Sequence, residues 1–165
     1  MTNGPGARVA VPDIAWPAGL QVTVLAAPAA RAIRFSLDPD SAQVAHARAL
    51  TRAALASWGL AGHSWLAELI VSELVTNAIV HGAGLVSVRL CSESGCLRVA
   101  VHDGHPGRPV RRCPSAADEA GRGLELIDGL IGLYGGERGT SGDNDGPGKT
   151  VHATVRLPDD AADDR

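Results

Sequence analysis

The chain has 165 residues, of which 45% are hydrophobic and 20% charged, and its formal net charge is −3. That is enough apolar material for a single soluble domain with a core of its own. The acidic balance argues against a nucleic-acid surface, no apolar run reaches the ~20 residues of a membrane span, and the first residues lack the basic start and apolar segment of a secretory signal. The three cysteines, Cys91, Cys96 and Cys113, are odd in number and lack paired spacing, so reduced thiols and a cytoplasmic location are expected. Lys149 is the single lysine among 15 basic residues, a bias we attribute to genome composition that nevertheless makes Lys149 conspicuous.

Residues 1–30 are rich in alanine, proline and glycine and are expected to form a flexible N-terminal arm, with a short strand possible over 20–25. Residues 32–37 alternate apolar and polar side chains, as a half-buried strand does. Asp38-Pro39 then suggests a cap and first position for a helix that runs to about Trp58 and stops at Gly59. A second helix is expected over 68–82, with Ser64 a candidate cap upstream and Gly82 at its stop. Two strands, 85–91 and 96–102, read as a hairpin across Ser92-Glu93-Ser94-Gly95. Residues 104–122 carry glycine, proline and arginine without apolar periodicity and are expected to form a mobile loop. A short amphipathic helix over 123–134 follows, then a polar, glycine-rich turn over 135–148, a strand over 149–157 and an acidic, disordered tail over 158–165. This order predicts an α+β domain over 31–157: a two-layer sandwich of a mixed, mostly antiparallel sheet with helices on one face.

The second helix carries the first chemical signal. Glu73 and Asn77 are one turn apart on one face, His81 follows a turn later, and Leu69, Ile70, Leu74, Ala78 and Ile79 are apolar around them. A carboxylate and an amide that border a core can accept hydrogen bonds or hold a hard cation, but polar pairs at this spacing are also common on ordinary solvated helices. Gly148-Lys149-Thr150 imitates a phosphate-binding loop, yet Asp143 stands where the first glycine belongs, and a strand follows where a helix should. His102, Asp103, His105 and Cys113 lack the paired spacing of a zinc site. No Gly-x-Ser-x-Gly elbow and no Gly-x-Gly-x-x-Gly fingerprint occurs. Arg108, Arg111 and Arg112 read as a solvated loop beside the expected lid.

The remaining constellation runs in chain order: Glu73-Leu74-Val75-Thr76-Asn77-Ala78 on a helix, Asp103 after a strand, Gly121-Arg122-Gly123-Leu124-Glu125-Leu126-Ile127 at a helix start, and Gly148-Lys149-Thr150 before a strand. In that order and on those elements it resembles the GHKL nucleotide-binding superfamily (the Bergerat ATP-binding fold), and within it the anti-sigma-factor serine/threonine kinase branch. The resemblance covers about residues 31–157. It implies ATP and Mg²⁺ as ligands, with Asn77 coordinating Mg²⁺, Glu73 as the base, Asp103 accepting a hydrogen bond from the adenine amino group, and Thr150 supporting the adenine end. It also implies phosphate contacts from Gly121, Gly123 and Leu124 at a helix start, with Arg122 neutralising the terminal phosphate. The acidic motif departs from Asp-x-Gly-x-Gly, since His105 stands at its first glycine while Gly107 keeps the second. It is nearer Asp-x-x-Pro-x-x-Pro, through Asp103, Pro106 and Pro109, which leaves the lid conformation open.

By the same resemblance the chain is expected to be a protein kinase that phosphorylates an anti-sigma-factor antagonist, sequesters a sigma factor, or does both, as a homodimer. A non-catalytic ATP-binding interaction module is the alternative. The ATP domain of a histidine kinase fits less well, because no phospho-acceptor helix pair or sensor is expected within 165 residues. No nucleic-acid or membrane partner is expected.

Overall fold

Alternation of buried and exposed side chains along the inner strands decides which side of the sheet is covered. The computed structural model describes residues 22–27, 30–106, 119–142 and 147–158. Their elements are β1 (Val22–Ala27), β2 (Ala30–Leu37), α1 (Gln43–Ser57), a 3-10 turn (Ala61–His63), α2 (Ser64–His81), β3 (Val86–Glu93), β4 (Cys96–Asp103), α3 (Glu119–Leu133), β5 (Glu137–Gly142) and β6 (Lys149–Arg156). Six strands form one sheet in the order β1-β2-β3-β4-β6-β5, and every neighbouring pair is antiparallel. The last strand in the chain thus lies inside the sheet, between β4 and β5.

One side of that sheet is apolar. Phe35, Leu37, Val88, Leu90, Leu97, Val99, Val151 and Val155 are buried there and join Leu50, Leu55, Ile70, Leu74, Ile127 and Ile131 from the helices in one core. Helix α2 is buried along most of its length, through Leu66, Ala67, Ile70, Val71, Leu74, Val75 and Ala78. It packs against α1, α3, β3 and β4, which explains why its apolar residues do not keep to a single stripe. Arg52 of α1 forks onto Glu68 of α2 at 2.6 and 2.8 Å, a surface pair that contributes orientation more than stability. Arg31 donates to the Trp58 carbonyl at the end of α1, where a cation suits the helix dipole.

The opposite side of the sheet is polar. Arg34, Arg89 and Arg98 are exposed, and Arg34 stands directly across from Arg89 in the ladder, a like-charge placement that costs stability. His152 lies on this side, and its pKa is lowered from the ordinary 6.5, first by burial and then by the neighbouring Arg98 charge.

Several expectations are corrected. The short strand read over 20–25 is β1, two residues later at Val22–Ala27 and paired along its length with β2, so that part of the expected arm is ordered. Helix α1 begins at Gln43, four residues after Pro39, because Asp40 Oδ1 accepts the Ala42 N–H at 2.9 Å and holds a turn first. Helix α2 begins at Ser64 after His63, and the Ser64 hydroxyl is buried without a hydrogen-bond partner, so it caps nothing. The hairpin turn is the two-residue Ser94-Gly95, both at positive φ (51° and 71°), which matches the twist of the strands it joins. Residues 119–122, assigned to the loop, are the first turn of α3; Gly121 and Gly123 cost about 1 kcal/mol each and are carried by a helix whose later turns are anchored in the core through Ile127 and Ile131. The expected turn over 135–148 contains β5, an edge strand without apolar alternation that is held by pairing with β6 and by Arg138 Nη2 on Asp128 at 2.7 Å. Residues 1–21, the loop over 107–118 and the tail beyond Pro158 lie outside the described residues.

A His whose folded pKa is lowered contributes stability that is fully present above its unfolded pKa and lost as the pH falls through the folded value. The His152 imidazole should therefore titrate below 6.5 by proton NMR. A His152→Gln variant should flatten the loss of unfolding free energy seen in urea titrations just below that pH.

Candidate active site

Helix α2 sets the geometry. Glu73 and Asn77 lie one turn apart on it, both half-buried, with buried Leu74 and Ala78 beside them fixing the rotation of the helix. Helix α3 is brought alongside by its own apolar face, Leu124, Ile127, Ile131 and Tyr134, which packs into the core. That packing presses Gly123 onto the Glu73 carboxylate: a Cβ at 123 would lie 1.9 Å from Oε2 and 2.7 Å from Cδ. A side chain at 123 would therefore have to displace the Glu73 carboxylate from this position.

The C-terminal end of α2 makes the second contact. A Cβ on Gly82 would lie 2.7 Å from Asp103 Cγ and 2.1 Å from the Ala78 carbonyl oxygen. The Gly104 N–H donates to the Ala83 carbonyl at 2.8 Å. The end of the helix is thereby closed onto the end of β4. Gly82 is nine positions after Glu73, about 13 Å along a helix, so the contacts at Glu73 and at Asp103 lie toward opposite ends of the second half of α2.

Asp103 is not alone. Lys149 lies directly opposite it in the β4–β6 ladder, and Nζ donates to Asp103 Oδ1 at 2.9 Å, with side chains only 7% and 2% exposed. The His105 N–H donates to the same oxygen, also at 2.9 Å. Asp103, Lys149 and Thr51 are the buried polar or charged residues among those described. An ion pair this deep in an apolar layer is poor evidence for stability, because apolar residues of the same shape would serve as well.

The structure therefore brings Glu73, Asn77 and Gly123 together at one end, and Asp103, Gly82 and Lys149 at the other. Gly121 lies within the first turn of α3, and Leu124 packs against the core. Thr150 is not beside Asp103: it faces the other side of the sheet, in register with His102. Gly107 and the Arg122 side chain lie outside the described residues. Lys149 and Gly82 were missed as site residues. The signal for Lys149 was present, since it is in phase with Val151, Ala153 and Val155, and a cation on the buried side of a strand needs a partner.

As a donor set this arrangement fits a nucleoside triphosphate with Mg²⁺. The buried carboxylate can take an amino group, and the Asn77 amide supplies a hard oxygen. Among the described residues no cluster of three His, Cys, Asp or Glu side chains could hold a metal alone.

Residues 35–155 match the family described as histidine kinase-like ATPase domain. Among solved structures, the histidine kinase domain from the blue-light activated histidine kinase EL346 of Erythrobacter litoralis is similar, at 28% identity and a TM-score of 0.44, over 57% of this chain and 44% of that one. This chain therefore spans less than half the length of that protein. No curated protein matches it.

The buried pair gives a stability test. Lys149→Met alone leaves the Asp103 charge buried and unpaired, and should lower the unfolding free energy by about 3–5 kcal/mol. Adding Asp103→Leu to the same chain should recover much of that loss, as measured by urea denaturation.

Proposed function

The chain belongs to the histidine kinase-like ATPase domain family, and from that membership we propose that it binds ATP with Mg²⁺ and transfers the γ-phosphate to a serine or threonine of an anti-sigma-factor antagonist, while also sequestering a sigma factor. The observation that carries this reading is the placement of Glu73, a half-buried carboxylate one turn from Asn77 with the α3 backbone pressed against it. A domain that merely held nucleotide would have no use for a base at that point.

Each residue has a role in this proposal. Asp103 accepts a hydrogen bond from the adenine amino group at the end of β4. Asn77 supplies an amide oxygen to Mg²⁺, which keeps most of its waters and neutralises phosphate charge. Glu73 takes the proton of the attacking hydroxyl as the new oxygen–phosphorus bond forms and ADP leaves. Arg122, on the first turn of α3, balances the terminal phosphate, and the open N–H groups of that turn favour an anion. Sigma-factor and antagonist binding, homodimer formation and a cytoplasmic location are proposed on the motif resemblance. Among the described residues no helix is long and apolar enough to cross a membrane.

Two substitutions one turn apart should fail differently. Asn77→Ala should weaken Mg²⁺-dependent ATP binding itself. Glu73→Ala should leave binding intact or slightly tighter, since a nearby like charge is gone, while single-turnover transfer to a purified antagonist falls by ~10²–10⁴-fold. Wild-type transfer rates in Glu73→Ala would exclude it as the base, and wild-type protein that binds ATP but phosphorylates no antagonist would favour the non-catalytic module.

Base selectivity is a second test. The buried Asp103 carboxylate has no donor to offer the guanine carbonyl, so calorimetry should find ATP bound far more tightly than GTP. Equal affinities would remove Asp103 from the base contact.

A further inference from the structure

We propose that Lys149 is a second reader of the nucleotide base, forming with Asp103 a donor–acceptor pair complementary to the N1/N6 edge of adenine. The inference rests on the ATP-binding reading above and adds a residue to it.

The first observation is positional. Strand alternation sends Lys149 to the helix side of the sheet, opposite Asp103, and sends Thr150 to the far side opposite His102. The side chain of this dipeptide that reaches Asp103 is therefore the lysine. The second observation concerns unused hydrogen-bonding capacity. Asp103 Oδ1 takes both the Lys149 ammonium and the His105 N–H, each at 2.9 Å. Both of these contacts fall on Oδ1. An ammonium carries three N–H donors and a carboxylate about four lone-pair sites, so a pair joined through one oxygen, in side chains 7% and 2% exposed, keeps the capacity for a further donor on the carboxylate and a further acceptor for the ammonium.

The two groups are adjacent, so a ligand that satisfies both must offer a donor beside an acceptor. Adenine does: its exocyclic amino N–H faces a carboxylate while its ring N1 accepts from an ammonium. Guanine and hypoxanthine invert the pattern, setting a carbonyl against the carboxylate and an N1–H against the ammonium. Both contacts then repel, which gives sharper discrimination than a carboxylate alone. A pair that only braced β4 against β6 would gain nothing from this chemistry, and apolar residues would brace as well.

The test is calorimetric and needs no catalysis. Wild-type protein is titrated with ATP, with 1-deaza-ATP, whose N1 is a C–H, and with purine riboside triphosphate, which lacks the amino group. Loss of a hydrogen bond to a charged group corresponds to about a 10- to 100-fold weakening, so 1-deaza-ATP should bind that much more weakly than ATP. In Lys149→Met, checked for folding by circular dichroism, ATP should weaken and its advantage over 1-deaza-ATP should vanish, while its advantage over purine riboside triphosphate persists. Because that variant is destabilised, the wild-type comparison decides the matter by itself. Equal wild-type affinity for ATP and 1-deaza-ATP overturns the role of Lys149 and leaves ATP binding standing; wild-type protein that binds none of the three overturns both.

Discussion

Gly82 stands where α2 meets the end of β4, and a side chain there would have to occupy the space of Asp103 Cγ. The rest of the site follows from that contact. With the end of α2 closed onto β4, the rise of the helix fixes how far Glu73 stands from Asp103, and the rotation set by Leu74 and Ala78 fixes the direction in which Glu73 and Asn77 project. Helix α3 then approaches from the other side until Gly123 meets the Glu73 carboxylate. The two contacts are thus made at two glycines, one at the C-cap of α2 and one in α3, and the helix sets the spacing between them.

The division of the sheet into two unlike faces serves the same end. The covered face is largely apolar, and its buried charged members among the described residues, Asp103 and Lys149, sit together at one edge of the layer. Low dielectric surroundings strengthen the attraction within such a pair and make it costly to leave either member unpaired. On the open face the arginines of β2, β3 and β4 are solvated, so the repulsion between Arg34 and Arg89 is muted there. Charge on one side of the sheet is buried, paired and specific; on the other it is exposed and diffuse.

How much of this could be read from the chain depended on period. The core strands and helices announced themselves through alternation or helical spacing, and the motif around Glu73 and Asn77 fell on the expected helix. Strand β5 did not, because Glu137–Gly142 has no apolar alternation and exists only through its partner strand. Strand β1 was blurred by its alanine- and proline-rich surroundings. The start of α3 was hidden by Gly121 and Gly123, which read as loop formers and are tolerated in a helix whose far half is anchored in the core. The choice between Lys149 and Thr150 as the side chain beside Asp103 is a matter of register by one residue. The motif resemblance implied Thr150 at the adenine end, whereas the phase of Val151, Ala153 and Val155 puts Lys149 on the side of the sheet that carries Asp103.

The insertion of β6 between β4 and β5 has a consequence for how the protein is made. The contact between Asp103 and Lys149 joins residues 46 apart in the chain, across a connection that must first form α3 and β5. Long-range closure of this kind comes late in folding. Until β6 leaves the ribosome, β4 is an open edge and Asp103 a buried-side carboxylate without its cation. A nascent chain can therefore assemble the Glu73 end of the site before the Asp103 end exists. A chain in which β6 has not yet paired thus carries the Glu73 end of the site without the Asp103–Lys149 pair.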